Sequence, residues 1–181
     1  MYLLLLLTVL GTTHGLDIVS RDEWGARAPI YVDPMSNPVP YVVIHHSAEP
    51  AVCYTKEDCI EAMQTMQDMH QIDNGWVDIG YSFAVGGDGN AYEGRGWSAV
   101  GAHAPGYNDR SIGICVIGNW MEALPSEQQL QTVHELIAYG VELGMISGSY
   151  GLIGHRQAKE TLCPGDQLYE EITTWEHYIQ V

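Results

Sequence analysis

The sequence predicts a single α/β domain: a central mixed β-sheet flanked by about three helices. Three observations carry this. Short β-branched runs alternate along the chain with helical apolar stripes. One glycine-rich hairpin signal adds an antiparallel pair. Finally, 181 residues with 46% apolar content fill one core rather than two. No repeat, low-complexity tract or linker divides the chain.

Residues 1–15 read as a secretory leader. The largely apolar run Leu3–Leu10 is far shorter than the ~20 residues that span a bilayer. It is followed by the small-residue stretch Gly11-Thr12-Thr13-His14-Gly15, which suits cleavage before Leu16. The mature domain is then 16–181, in a secreted, extracellular protein. Tyr41–His46 is a β-branched run ending in two histidines, a buried strand. Thr55 with Asp58 opens a helix, and Ile60, Met63, Met66, Gln67 and His70 keep helical spacing to about Ile72. Tyr81–Gly86 and Asn90–Gly94 flank the turn Gly87-Asp88-Gly89. Ser111–Gly118 is a second buried strand. Ser126 with Gln129 forms a capping box, and Leu130, Val133, Leu136, Ile137 and Val141 continue on one face until Gly144. Tyr150–Gly154 is a last short strand running into His155, and Leu168, Ile172 and Trp175 stripe a C-terminal helix.

Composition excludes several classes of function. Only 7 Lys and Arg face 23 Asp and Glu, a formal net charge of −16. Sequence-independent binding to nucleic acid or to an anionic membrane needs basic patches that such a chain lacks. No second apolar segment is long enough to cross a membrane. The apolar fraction, with 11 Tyr and 5 Trp, excludes intrinsic disorder. A Gly-x-Ser-x-Gly elbow, a phosphate loop with lysine and a Cys-x-x-Cys pair are all missing. His134-Glu135 begins like a zinc-protease helix, but Ala138 stands where the second histidine is needed, which leaves His134 a helix-surface residue.

His45, His155 and Cys163 are the residues left for chemistry. Two of them end predicted strands, and Cys163 follows His155 by eight residues, ahead of Pro164-Gly165. Strand ends and the loops beyond them are where open α/β sheets place ligands. Two neutral imidazoles and a thiolate make a zinc set with a fourth position left for water. The alternative is that the histidines are ordinary polar residues and Cys163 pairs with Cys115. Cys53 and Cys59, six residues apart, can close a small loop in an oxidising compartment, whereas Cys115 lies in an apolar run and reads as a buried thiol.

Several longer stretches make the sequence recognisable: Ile18–Ala26, Val43-Ile44-His45-His46-Ser47-Ala48, Gly75–Phe83 and Tyr92–Trp97. Gly101-Ala102-His103, Ser111–Ile114, Gly154-His155-Arg156 and Cys163-Pro164-Gly165 follow in order. In these the chain resembles the peptidoglycan recognition proteins, whose domain is similar to bacterial and phage N-acetylmuramoyl-L-alanine amidases, and it looks like the catalytic insect members of the LB type. The resemblance covers essentially the whole mature chain and implies an amidase-like fold.

It also implies that His45, His155 and Cys163 hold Zn2+, that Tyr81 assists at the scissile carbonyl, and that Thr161 stands beside the cysteine as in catalytic members. The implied activity is zinc-dependent hydrolysis of the amide between the N-acetylmuramoyl lactyl group and L-alanine, in innate immunity. Many receptor-type members carry serine in place of this cysteine, so the alternative is a non-catalytic peptidoglycan receptor signalling through a partner protein. Cys53 and Cys59 match the family's usual small disulfide. Gly75, Trp76 and Arg95 match its pattern for diaminopimelate-type peptidoglycan and muropeptides, a guanidinium being suited to grip the extra carboxylate. His70 and His103 stand as groove or packing residues, with His70 among the substrate-binding set. Of the few basic residues, Arg95, Arg156 and Lys159 fall in segments expected to build the site and to make it locally positive.

Overall fold

The computed structural model describes residues 15–181, so the predicted leader lies outside the described residues save for Gly15. The sheet is built from β1 (Ile18–Val19), β2 (Val39–His46), β3 (Phe83–Val85), β4 (Ala91–Glu93), β5 (Ser111–Val116) and β6 (Ile146–Gly154). The helices are α1 (Lys56–Asp68), α2 (Glu127–Glu142), the single turn α3 (His155–Ala158) and α4 (Asp166–Ile172). Among the described residues no helix is long and apolar enough to cross a membrane.

The strands lie in the order β1-β4-β3-β5-β2-β6. β3, β5, β2 and β6 run parallel, while β3 and β4 form the antiparallel hairpin read from Gly87-Asp88-Gly89. The sheet is therefore mixed, as expected. Alternation sends Val42, Ile44, Ile112, Ile114, Val116 and Leu152 to one face, against Val133, Leu136 and Ile137 of α2 and Leu168 and Ile172 of α4. The other face packs Ala84, Cys115 and Ile117 against Cys59, Ala62, Met63 and Met66 of α1. Val43 and Ile153 continue that second face beyond the end of α1, with Ala104 over them. His45 points the same way, among the rings of Tyr81, His103 and His155.

Four local expectations are corrected. The α1 helix starts on the Thr55 cap, whose Oγ1 accepts the Asp58 N–H, but it ends at Asp68 and widens into a π-helical turn over Met69–Asp73. Such turns are frequent at functional sites, and this one carries His70. The capping box is only half formed: Ser126 Oγ accepts the Gln129 N–H. The Gln129 amide donates instead to the carbonyls of Val85 and Ile117 at 2.9 and 3.1 Å, joining α2 to the sheet. The last strand is longer than Tyr150–Gly154, and α4 stops at Ile172, leaving Trp175 in the following turn, where its ring lies 4.1 Å from the exposed His134. Strand β1 went unpredicted. It adds to the sheet beside β4, and its chain continues into a segment tied down by buried polar groups. There Trp24 Nε1 donates to the Glu93 carbonyl at 2.8 Å, and the Arg21 guanidinium meets the buried Asp78 carboxylate at 2.9 Å.

A disulfide joins Cys53 to Cys59, with Cα atoms 5.1 Å apart, and ties the loop before α1 to its first turn. Cys115 is a buried free thiol and Cys163 is free and partly buried, so the alternative pairing between those two is not formed.

Candidate metal centre and binding cleft

Parallel register builds the centre. Ile44 of β2 pairs with Gly154 of β6, so His45 and His155 follow side by side on adjacent strands, facing the same side. Their rings lie 4.4 Å apart. Cys163 comes from a loop that Arg156 holds closed. The Arg156 N–H donates to the Cys163 carbonyl at 3.0 Å, and its guanidinium binds the Leu162 carbonyl and Asp166 and stacks over Tyr169. This delivers Cys163 Sγ to 3.7 Å from His45 Nδ1, where it also accepts the His46 N–H at 3.3 Å. Donor atoms of His45, His155 and Cys163 all lie within 4.8 Å of one another.

These donors fit zinc. Tetrahedral zinc with ordinary Zn–N and Zn–S bonds holds its nitrogen and sulfur ligands about 3.6 Å apart, close to the distance found. Burial holds His45 well below the usual imidazole range, with His103 and His155 adding to the effect; burial likewise lowers His155 to about 4. Both rings are therefore neutral at physiological pH and offer lone pairs. His155 Nε2 is buried with no hydrogen-bond partner among the described residues. Burial pushes the Cys163 thiol up to about 12, against the pull of the His46 N–H and Arg156. A thiolate in this setting needs a cation beside it, which a divalent metal supplies.

Two further residues border the centre. Tyr81 precedes β3, its ring 5.2 Å from that of His45. Burial raises its pKa well above the usual phenol value, with Cys115 and Cys163 adding to the rise, so the hydroxyl keeps its proton. Thr161 Oγ1 accepts the Cys163 N–H at 3.3 Å. Tyr81, His155, Thr161 and Cys163 line an open cleft of about 430 Å³. His155 also lines an adjoining hollow with Trp76, Ala102, His103, Asn108 and Lys159. The two share His155 and make one groove, with His155 and Cys163 in its lining and the buried His45 directly behind them.

The remaining predicted residues divide. Gly75 has φ of +67°, the left-handed region that favours glycine, and turns the chain out of the π-helical turn. Trp76 is 38% exposed, so it is a groove-wall aromatic rather than a core one. Its ring stacks on His70 at 4.7 Å and 9° between planes. His70 is buried beneath it and accepts the Gly80 N–H at 3.1 Å, so it supports Trp76 and the segment leading to Tyr81. Arg95 is largely engaged within the fold: its guanidinium donates to the carbonyls of Ile79 at 2.6 Å, Val100 at 2.7 Å and Asp78 at 3.4 Å.

The expected positive groove narrows accordingly. Arg156 is paired with Asp166 and Arg95 is spent on carbonyls, whereas Lys159 lines the groove with no ion pair among the described residues. Sequence reasoning missed Asn108 in the groove wall and the His46 N–H at Cys163. The first sits just past the Gly101-Ala102-His103 motif; the second is a backbone group and leaves no trace in residue identity.

The fold is a mixed sheet with two histidines and a cysteine brought together near the ends of its parallel strands, and the model of the N-acetylmuramoyl-L-alanine amidase family matches residues 35–166. Peptidoglycan-recognition protein LB of Drosophila melanogaster is 52% identical over 164 residues, 91% of this chain and 71% of that protein. The structure of wild-type Drosophila PGRP-LB superposes with a TM-score of 0.91 at 51% identity, covering 92% of this chain and 98% of that one. Peptidoglycan recognition protein-LE, solved in complex with tracheal cytotoxin, a monomeric diaminopimelic acid-type peptidoglycan, gives 0.89 at 45% identity, with 91% and 96% covered. The chain belongs to the peptidoglycan recognition proteins.

Proposed function

We propose that this protein binds bacterial peptidoglycan fragments in its groove and hydrolyses the amide between the N-acetylmuramoyl lactyl group and L-alanine, as a secreted zinc amidase of innate immunity. The observation that carries the reading is the convergence of His45, His155 and Cys163, two of which line the groove. Relatives supply the ligand class, since protein LE was solved with a diaminopimelic acid-type fragment.

Bound zinc supplies Lewis acidity, polarising the scissile carbonyl and lowering the pKa of water. The rest falls to side chains. Tyr81 presents a neutral phenol that can donate a hydrogen bond to oxygen developing charge in the cleft. Thr161, its oxygen already accepting the Cys163 N–H, keeps its own proton free for substrate. Trp76 offers a flat apolar wall, and Lys159 a cation for carboxylates of the stem peptide. Incubation of the zinc-loaded protein with diaminopimelate-type peptidoglycan should release free stem peptides, detected by mass spectrometry. Binding without release would leave a receptor.

Two substitutions probe the groove. Lys159→Ala should weaken muropeptide binding about two- to fivefold at low salt, the scale of one exposed ion pair, with the difference shrinking as salt rises. Affinity unchanged at every ionic strength would remove Lys159 from the site. Arg95→Thr should cost diaminopimelate-type fragments more affinity than lysine-type ones. It should also lower thermal stability, because the Asp78, Ile79 and Val100 carbonyls lose their donor. Equal loss on both ligand types would show that Arg95 acts only by bracing the groove wall.

A further inference from the structure

His103 plays no part in the reaction as described above, yet it meets His45 from behind. Its loop is clamped by Asn108, whose Oδ1 accepts the N–H groups of His103 and Ala104, each at 2.8 Å. The buried ring lies flat in a slot that two glycines leave open. A Cβ on Gly113 of β5 would come within 2.5 Å of the ring, and one on Gly101 within 2.4 Å. From this slot His103 Nδ1 stands 3.0 Å from His45 Nε2, with the ring planes 87° apart. The other nitrogen of His45, Nδ1, is the one facing Cys163 Sγ at 3.7 Å.

We infer that His103 is a positioning residue for the metal centre, its Nδ1 accepting the His45 Nε2–H and so holding the His45 Nδ1 lone pair toward the metal. The inference rests on the reading of His45, His155 and Cys163 as zinc ligands. A neutral imidazole carries one N–H. Were His103 the donor, His45 would bear its proton on Nδ1 and could not ligate through that atom. His45 must therefore donate, and His103 must keep its own proton on Nε2, which is buried and meets no partner among the described residues. Metal-binding histidines generally donate their second N–H to a carboxylate, carbonyl or water; here an imidazole takes that place. The same contact explains the motifs Gly101-Ala102-His103 and Ser111-Ile112-Gly113-Ile114, which supply the acceptor and the room for it.

The test compares His103→Phe, which fills the slot without an acceptor, with His103→Asn, whose Oδ1 can stand near the position of Nδ1. Zinc affinity is read by competition with a chromophoric chelator, and fold integrity by near-UV circular dichroism. His103→Phe should weaken zinc binding about 10- to 100-fold, the usual cost of losing such a partner, and His103→Asn should recover most of it. Wild-type affinity in His103→Phe, or equal loss in both variants, would overturn the inference. Nitrogen-15 NMR of the zinc-loaded wild type needs no variant: it should find His103 protonated on Nε2, and a proton on Nδ1 would refute the assignment. His45→Ala serves as the separate control. It should abolish tight zinc binding, and if it did not, the ligand set itself would be wrong.

Discussion

Replacing Cys163 by serine is expected to abolish hydrolysis while leaving much of the muropeptide binding in place. The sulfur is the one donor in the set that brings negative charge, and it lies 3.7 Å from His45 Nδ1. A serine hydroxyl does not ionise near neutral pH and is a harder, shorter donor, so zinc loses a charged bond and one side of its tetrahedron. The groove walls are built elsewhere: Trp76 on His70, Lys159 beyond α3, and Asn108 in the loop before β5. Two readouts separate the effects. Zinc stoichiometry after dialysis and stem-peptide release by mass spectrometry should both collapse, while muropeptide titration should retain binding within about an order of magnitude (~1.4 kcal/mol). Hydrolysis at the wild-type rate in Cys163→Ser would disprove the ligand set.

The second large effect is expected at Asp78, far from any metal chemistry. Its carboxylate is buried and accepts from Arg21 at 2.9 and 3.1 Å, from the Gln67 amide at 2.9 Å and from the Ile79 N–H at 2.8 Å. Asp78→Ala would take the counter-charge from a partly buried guanidinium, leave it and the Gln67 amide only the Gly94 and Arg27 carbonyls, and strand the Ile79 N–H. Losing one partner of a buried ion pair costs about 3–5 kcal/mol, which for a domain of this size lowers Tm on the order of 10 °C. Because Asp78 lies two residues from Trp76 and anchors the N-terminal segment through Arg21, fragment binding should fall as well. Asp78→Asn keeps an acceptor and should lose less. Calorimetry decides the matter: a Tm within about 2 °C of wild type for Asp78→Ala would mean that the cluster contributes little.

The fold was legible wherever a pattern is local. Continuous β-branched or apolar runs mark β2 and β5, period-3.6 apolar spacing marks α1 and α2, and the glycines at 87 and 89 mark the hairpin. Local pattern fails where a side chain is claimed by something distant in sequence. Gln129 reads as half of a capping box, but its amide is taken by Val85 and Ile117. Residues 69–73 keep helical spacing, yet the turn widens there, and the His70 it carries accepts from Gly80. Arg95 shows in the sequence only as a guanidinium suited to a carboxylate; that three carbonyls from two other segments hold it leaves no local trace. Two residues, Ile18–Val19, are too few to show any period, so β1 depends on its partner β4.

The sequence by itself determined the α/β class, the order of most elements and the residue types able to hold zinc, because periodicity, turn chemistry and ligand chemistry belong to the residues themselves. Only the tertiary structure decided which of those residues meet. The register of β2 against β6 sets His45 beside His155, the Arg156 clamp brings Cys163 to them, and the glycine slot brings His103 behind His45. It also decided that most of the cations are spent on internal partners, leaving Lys159 unpaired in the groove. Distances and hydrogen-bond partners come from packing between segments remote along the chain, and no local pattern encodes them.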